Sequence, residues 1–266
     1  MHAMSTELIK LEGITKSFQR DERVIPALQP TDLSIKRNEF VAFVGPSGCG
    51  KSTILNMVAG LLTPTAGRLS YDGQTVGDLN LRVGYMTQKD TLLPWRTVTD
   101  NIGSPLELAV HKVSRNERAD RVQDMVRLVG LSGFEKHYPG ELSGGMRRRV
   151  ALARMLIYDP ETLLMDEPFG ALDAQLKLVM HDEIQRIVSI GKKTVLFVTH
   201  DLGEAIALAD RVVLFSSRPG RVKMVCDIDL PKPRDVFRIR FTPRFTELHE
   251  KLWDELKDEV RKGADT

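Results

Sequence analysis

Apolar and polar positions alternate along this chain with two different periods. Phe40–Val44, residues 162–165, Thr194–Thr199 and residues 211–216 are near-continuous apolar runs of strand length. Such runs belong to strands covered on both faces, as in a parallel sheet. Residues 8–14, 32–36, 68–71 and 83–87 read as further strands, with residues 19–29 as a loop and Asp72-Gly73 as a hairpin turn. Helical periodicity fills much of the remainder. Residues 52–62 form one helix. From Val98 to about Lys136 the pattern is again helical, with Ala119, Val122, Met125, Val126 and Val129 on one face. Ser114 and Glu117 supply a capping box for that helix, and Gly130 its C-cap. Ser143 caps another helix, whose apolar positions are Met146, Val150, Ala153 and Ile157. Thr242-Pro243 opens a last one, striped by Phe245, Leu248, Leu252, Leu256 and Val260 with Trp253 beside them. That stripe predicts docking on the chain's own body. Strands alternating with helices predict an α/β fold, in which a helical segment of about residues 92–160 interrupts a strand-rich core.

Candidate chemistry sits at the ends of the apolar runs. Gly45, Pro46, Ser47, Gly48, Cys49, Gly50, Lys51, Ser52 and Thr53 spell GPSGCGKST, between the run Phe40–Val44 and a helix. This fits G-x-x-x-x-G-K-[ST] in the strand–loop–helix order that the motif requires. Backbone N–H groups can wrap a polyphosphate there, because glycines remove the Cβ that would stand in the way. Lys51 then reaches the β- and γ-phosphates, the Ser52 hydroxyl ligates Mg²⁺, and the following helix adds its N-terminal dipole. The pattern predicts binding of a nucleoside triphosphate. Asp166, closing the run 162–165, occupies the place of the acid that holds Mg²⁺ through water. Glu167, next to it, can polarise a water for attack on the γ-phosphate. Gln88 is either a polar edge residue or a contact to the metal and the attacking water. His200 is either a strand terminator or a group facing the crevice where α/β sheets bind ligands. Phe18 is either core or a ring that stacks on a base. Gly144 and Gly145 cost their helix about 1 kcal/mol each, which fits N–H groups that must approach an anion closely. Arg147, Arg148 and Arg149 read as a solvated face and not as a nucleic-acid surface.

Composition narrows the class. The 266 residues suffice for one large α/β domain or two small ones. With 38 basic and 36 acidic residues the formal net charge is +2, which provides no field for nucleic acid or an anionic membrane. Two cysteines, Cys49 and Cys226, exclude a disulfide framework and suit a reducing compartment. No apolar run approaches the ~18 residues of a membrane span, and the N-terminal MHAMSTELIK lacks the apolar centre of a signal peptide. The expectation is a cytosolic chain, held at a membrane only by a partner.

Taken in order, GPSGCGKST, Gln88, LSGGM, TLLMDEP, Ala171-Leu172-Asp173 and Thr199-His200-Asp201 resemble the nucleotide-binding subunit of an ABC transporter, over roughly residues 8–221. The resemblance implies a P-loop NTPase core of the ABC ATPase kind, with an antiparallel β subdomain and an inserted α-helical subdomain. It implies an ABC ATPase domain over residues 1–227, a C-terminal extension over 228–266, and ATP and Mg²⁺ as cofactors. By that resemblance Phe18 is the adenine-stacking aromatic, Gln88 the Q-loop residue, Asp166 the Walker B acid and Glu167 the general base. Asp173 belongs to the D-loop, and His200 is the switch histidine at the γ-phosphate. ATP in this family is sandwiched between the phosphate loop of one subunit and the signature of another. Ser143, Gly144 and Gly145 are therefore expected to contact nucleotide held by a second copy of the chain. Met146 stands where the commonest signature has Gln.

LLPWRTVTDNI, ELSGGMRRRVALAR and LLMDEPFGALDA look like the ATPases of nitrate, sulfonate and taurine importers, in which LSGGM is common. Such systems imply two ATPase subunits, two integral membrane permease subunits and an extracytoplasmic solute-binding protein. The ATPase would sit peripherally on the cytoplasmic face of the cell membrane, with residues 88–95 receiving the permease's coupling helix. No additional β-rich regulatory domain is expected after the tail helix. The alternative is a soluble ABC-type ATPase acting as a nucleotide-dependent assembly module. Repair ATPases of this superfamily carry long coiled-coil insertions and translation-type relatives carry two cassettes; the sequence has no sustained heptad run and one phosphate loop.

Overall fold

The computed structural model describes residues 7–89, 91–108 and 113–264. β1 (Glu7–Arg20) and β2 (Arg23–Lys36) form a long hairpin, paired to its Asp21-Glu22 tip. The loop expected over residues 19–29 is therefore strand. Phe18 pairs with Ile25 and Gln19 with Val24, while register shifts between Leu11 and Ser17 break the two-residue alternation that would have betrayed the strands.

β3 (Phe40–Val44) leads through the phosphate loop into α1 (Lys51–Val58). That helix stops short of the expected Leu62, since the chain turns out at Gly60 and Leu61 N bonds back to Asn56 O at 2.9 Å. β4 (Ala66–Tyr71) and β5 (Gln74–Thr75) flank the long hairpin through the Asp72-Gly73 turn, so the antiparallel sheet runs β2-β1-β4-β5. β6 (Val83–Met86), β7 (Thr162–Asp166), β8 (Thr194–Thr199) and β9 (Arg211–Phe215) join β3 in a parallel sheet. Antiparallel β10 (Val222–Asp227) closes its edge, giving the order β10-β9-β3-β8-β7-β6. Because β3 lies between strands that come much later in the chain, the C-terminal ends of β3, β7 and β8 open side by side, where α/β sheets hold ligands.

Three clusters of apolar side chains hold these layers. Phe43, Leu164 and Leu196 of the parallel sheet pack with Leu11, Ile14 and Leu69 of the antiparallel one and with Ile54 and Leu55 of α1. Between β6 and β7, α2 (Val98–Gly103), α3 (Arg115–Leu128) and α4 (Gly144–Leu156) enclose a separate core of Val98, Ile102, Val122, Val126, Val150, Ala153 and Ile157. Ala119, expected on that face of α3, is exposed. The other side of the parallel sheet is covered by α5 (Ala174–Gly191), α6 (Leu202–Leu208) and α7 (Pro243–Ala264). Phe245, Leu248, Leu252 and Leu256 of α7 enter this third cluster, whereas Val260, expected in the same stripe, is a surface residue at 43% exposure. Arg234 fixes the chain ahead of α7. Its buried guanidinium donates to Ala209 O at 2.6 Å, Ile228 O at 3.0 Å and Ile206 O at 3.1 Å.

Candidate functional site

The phosphate loop is shaped by its backbone. Gly50, at φ 94, starts α1 from the left-handed region, and a Cβ there would stand 3.1 Å from Ala27 O. Lys51 is 6% exposed, and its Nζ donates to Gly45 O and Pro46 O, each at 2.8 Å. The ammonium thus sits under the loop, its charge met by carbonyl dipoles, and Cys49 Sγ is 3.4 Å away. Cys49 itself is fully buried.

A cleft of about 310 Å³ opens beside the loop. Residues 47–53 line it, together with Phe18, Gln88 and Glu167, groups that stand far apart in sequence. Ala27, Val198 and Arg218 line it too. None of these three carries a motif signal, because each reaches the cleft through strand pairing or a loop approach. Phe18 is 41% exposed at the rim, with Lys16 Nζ 5.4 Å from its ring centre.

The groups expected to act on phosphate converge from the ends of β6, β7 and β8. Glu167 Oε2 accepts from Gln88 Nε2 at 3.3 Å and lies 3.7 Å from His200 Nδ1. Glu167 has φ 49, a conformation costly for a residue with a Cβ. Two bonds pin it there: Glu167 N donates to Val198 O at 2.9 Å, and Arg148 donates to Glu167 O at 2.7 Å. Asp166 is 4% exposed behind Glu167. Burial pushes its carboxyl up, a hydrogen bond from Ser52 opposes this, and the Glu167 charge adds to it. No group of three or more His, Cys, Asp or Glu among the described residues could hold a metal ion. Ser52, Gln88 and Asp166 instead offer a few hard oxygen donors. That set fits Mg²⁺, which keeps waters and takes phosphate oxygens.

Arg147, Arg148 and Arg149 are not the solvated face their charge predicts. Arg148 is 6% exposed and donates to Thr87 O at 2.7 Å, to Glu167 O and, more weakly, to Asp166 O at 3.4 Å. Arg149 donates to Val129 O and Gly130 O at 2.8 Å, and Arg147 to Leu142 O at 2.7 Å. Carbonyl acceptors leave no mark in a sequence, so a charge run gave no warning of these staples.

Ser143 Oγ accepts from Met146 N at 3.2 Å and so starts α4, as its position predicts. Asp173 caps α5, accepting from Leu176 N at 2.9 Å. Ser143, Gly144, Gly145 and Asp173 do not line the cleft of their own chain. Behind the His200 segment lies a buried ionic group. Glu204 accepts from Thr199 Oγ1 at 2.7 Å, with Lys177 Nζ at 3.2 Å and His181 Nε2 at 3.7 Å. Burial pushes Glu204 up, but His181, the Thr199 hydroxyl and Lys177 outweigh it and hold its carboxyl at about 2.

Residues 28–170 match the family described as ABC transporter. The chain is 46% identical to an uncharacterized ABC transporter ATP-binding protein of Methanocaldococcus jannaschii, over 96% of this chain and 93% of that one. It is 39% identical to the aliphatic sulfonates import ATP-binding protein SsuB of Bacillus cereus, over 92% of this chain and 94% of SsuB. Identity to the nitrate import ATP-binding protein NrtC of Synechococcus elongatus is also 39%, over 88% of this chain and 36% of NrtC. Among solved structures, a dimeric bacterial ABC transporter cassette superposes with a TM-score of 0.77 at 33% identity, covering 84% of this chain and all of that one. A dimeric post-hydrolysis cassette bound to ADP and Pi matches with the same TM-score at 32% identity. The chain belongs to the ABC transporter family, as an ATP-binding subunit with the ABC ATPase fold.

Proposed function

We propose that this subunit hydrolyses ATP to drive an importer of a small solute of the sulfonate, taurine or nitrate kind. The observation that carries the reading is the meeting of Gln88, Glu167 and His200 beside the phosphate loop, with Glu167 within 3.7 Å of both partners. Relatives named for sulfonate and nitrate import support a small oxyanion as cargo. In the proposed reaction Phe18 stacks on adenine, and the N–H groups of residues 47–53 wrap the phosphates. Lys51 leaves its loop carbonyls for the β- and γ-phosphates. Ser52, Asp166 and Gln88 hold Mg²⁺, which when bound neutralises phosphate charge. Glu167 takes the proton of the attacking water, and His200 hydrogen-bonds the γ-phosphate.

The dimer reading draws on Ser143, Gly144 and Gly145, which do not line their own cleft and would close on ATP held by a second copy. Each bound state shifts the machine only by its differential affinity for closed over open dimer. No helix among the described residues is long and apolar enough to cross a membrane, so the proposed place is peripheral, on the cytoplasmic side of separate permease subunits. An extracytoplasmic solute-binding protein would deliver the cargo. An apolar groove of about 420 Å³, lined by Leu61, Leu79, Leu81, Tyr85, Leu108 and Tyr158, supports docking of a permease helix. Among the described residues of 88–95, where the docking cleft was expected, none lines this groove.

The test uses Glu167→Gln. The variant is expected to keep ATP binding and to lose hydrolysis by about 10²–10⁴-fold, the usual worth of a general base. Loaded with ATP and pulled from native membranes, it should bring down a polytopic membrane protein. Turnover near the unmodified rate would remove Glu167 from the mechanism, and soluble partners alone would turn the reading toward an assembly module.

A further inference from the structure

One wall of the nucleotide cleft belongs to no recognised motif. Arg218 lines it together with Phe18 and Ala27. The loop that carries Arg218 is seated on the phosphate loop itself. Gly220 N donates to Ala27 O at 3.0 Å, and Gly220 O accepts from Gln29 N at 2.8 Å. Its backbone runs so close that a Cβ on Gly220 would fall 1.8 Å from Cys49 O, an approach open to glycine alone. On the other side, Glu259 of α7 is 7% exposed. It accepts from Ser217 N at 2.9 Å and Ser217 Oγ at 3.0 Å, and Lys223 Nζ stands 3.3 Å from its second oxygen. The loop is clamped between the C-terminal helix and β2. Arg218 is exposed and takes part in no ion pair with a described residue. A guanidinium stays charged at any working pH and its fork of donors matches phosphate oxygens. A cation on a loop whose backbone is fixed at an anion cleft, without a carboxylate to neutralise it, has the ligand as its acceptor.

We propose that Arg218 is a further nucleotide-binding residue, adding a second side-chain cation to Lys51 at the phosphate chain, and that Glu259 is its positioning residue. The proposal gives the C-terminal helix a task at the cleft: α7 sets Arg218 through Ser217. It rests on the reading of the cleft as the ATP site, and the experiment separates the two.

ADP and inorganic tripolyphosphate are titrated into the full chain by calorimetry, at low and at high salt. Arg218→Gln is expected to weaken both by about tenfold, the worth of one charge-assisted hydrogen bond, with unchanged melting temperature. Arg218→Lys should recover part of the loss, and added salt should narrow the gap. Glu259→Gln should weaken ADP in the unmodified chain and add nothing on the Arg218→Gln background, because the two act as one unit. If Glu259→Gln fails to fold, Ser217→Ala carries the same comparison. Unmodified ADP affinity in Arg218→Gln overturns the proposal while leaving the ATP site standing. Loss of ADP with tripolyphosphate unaffected overturns the phosphate contact. Additive losses overturn the role of Glu259. Failure of the unmodified chain to bind either ligand overturns the reading of the cleft itself.

Discussion

Glu204 shows at the scale of one residue how a buried charge survives. Burial works against its carboxylate, yet His181, Thr199 and Lys177 hold the group at about 2, below its ordinary value of 4.5. A depressed acid stabilises the fold above its unfolded pKa and loses that contribution as pH falls toward the folded one. The window here is therefore about pH 4.5 down to 2. Glu204→Gln is expected to cost about 2–3 kcal/mol near neutral pH, with the difference shrinking across that window in denaturant melts followed by circular dichroism. A gap that stays constant with pH would deny the carboxylate this role. The location gives the charge its interest. Thr199, which donates to Glu204, also accepts from Asp201 N at 3.0 Å, and Glu204 N donates to Asp201 Oδ1 at 3.1 Å. The backbone on either side of His200 is thereby tied to α5 and α6.

Among the elements, α4 has most to connect. Its N-terminal glycines are partly exposed, its apolar side packs the helical core, and Arg148 in its second turn holds Thr87, before Gln88, and Glu167. Movement of α4 must drag on both. Arg148→Ala removes a buried guanidinium and its hydrogen bonds to the Thr87, Asp166 and Glu167 carbonyls, so it is expected to destabilise the chain by about 2–4 kcal/mol. For a domain of this size that lowers the melting temperature by roughly 2–4 °C per kcal/mol. Calorimetric scanning of Arg148→Ala beside Arg148→Lys measures it, and an unchanged melting temperature in Arg148→Ala would dismiss the staple. A second tie joins the two sheets. Arg37 and Arg82 each reach both Asp72 and Glu161, with Arg82 to Glu161 at 2.6 Å, and Arg82 lies over the Tyr71 ring. Such a network does more than isolated surface pairs, which contribute little.

In the whole molecule the motif residues fall into two groups, those that line the cleft and those that do not. The cleft is lined by Phe18, residues 47–53, Gln88 and Glu167 of its own chain, but by none of Ser143, Gly144 or Gly145. The match to dimeric cassettes, one with ADP and Pi, supports their supply by a partner. Glu167→Gln with ATP is expected to run as a dimer in light scattering and as a monomer without nucleotide. Adding Ser143→Arg should abolish the dimer and leave ATP binding intact. Loss of ATP binding by the monomer in the double variant would instead place the signature within its own chain's site.

Motif residues were legible in the sequence because their chemistry is local. GPSGCGKST needs its glycines, lysine and serine within nine positions to wrap a phosphate, and the strand and helix around it announce themselves by period. The buried strands ending at Asp166 and before His200 were equally plain, since two-sided burial demands a continuous apolar run. The hairpin through Phe18 and Ile25 was hidden, because register shifts erase alternation and only cross-strand pairing defines it. Arg148 read as a surface charge, and Arg234 and Glu259 carried no signal at all, for their partners are groups brought near only by folding. Arg218 is the clearest case. Two bonds to β2, two to Glu259 and one missing Cβ beside Cys49, made by residues distant in sequence, seat its loop, and a linear pattern has no term for such an approach. The sequence by itself determined which phosphate chemistry this chain carries. Tertiary structure alone decided which cations, carbonyls and helices hold that chemistry in place, because burial and long-range contact set their roles.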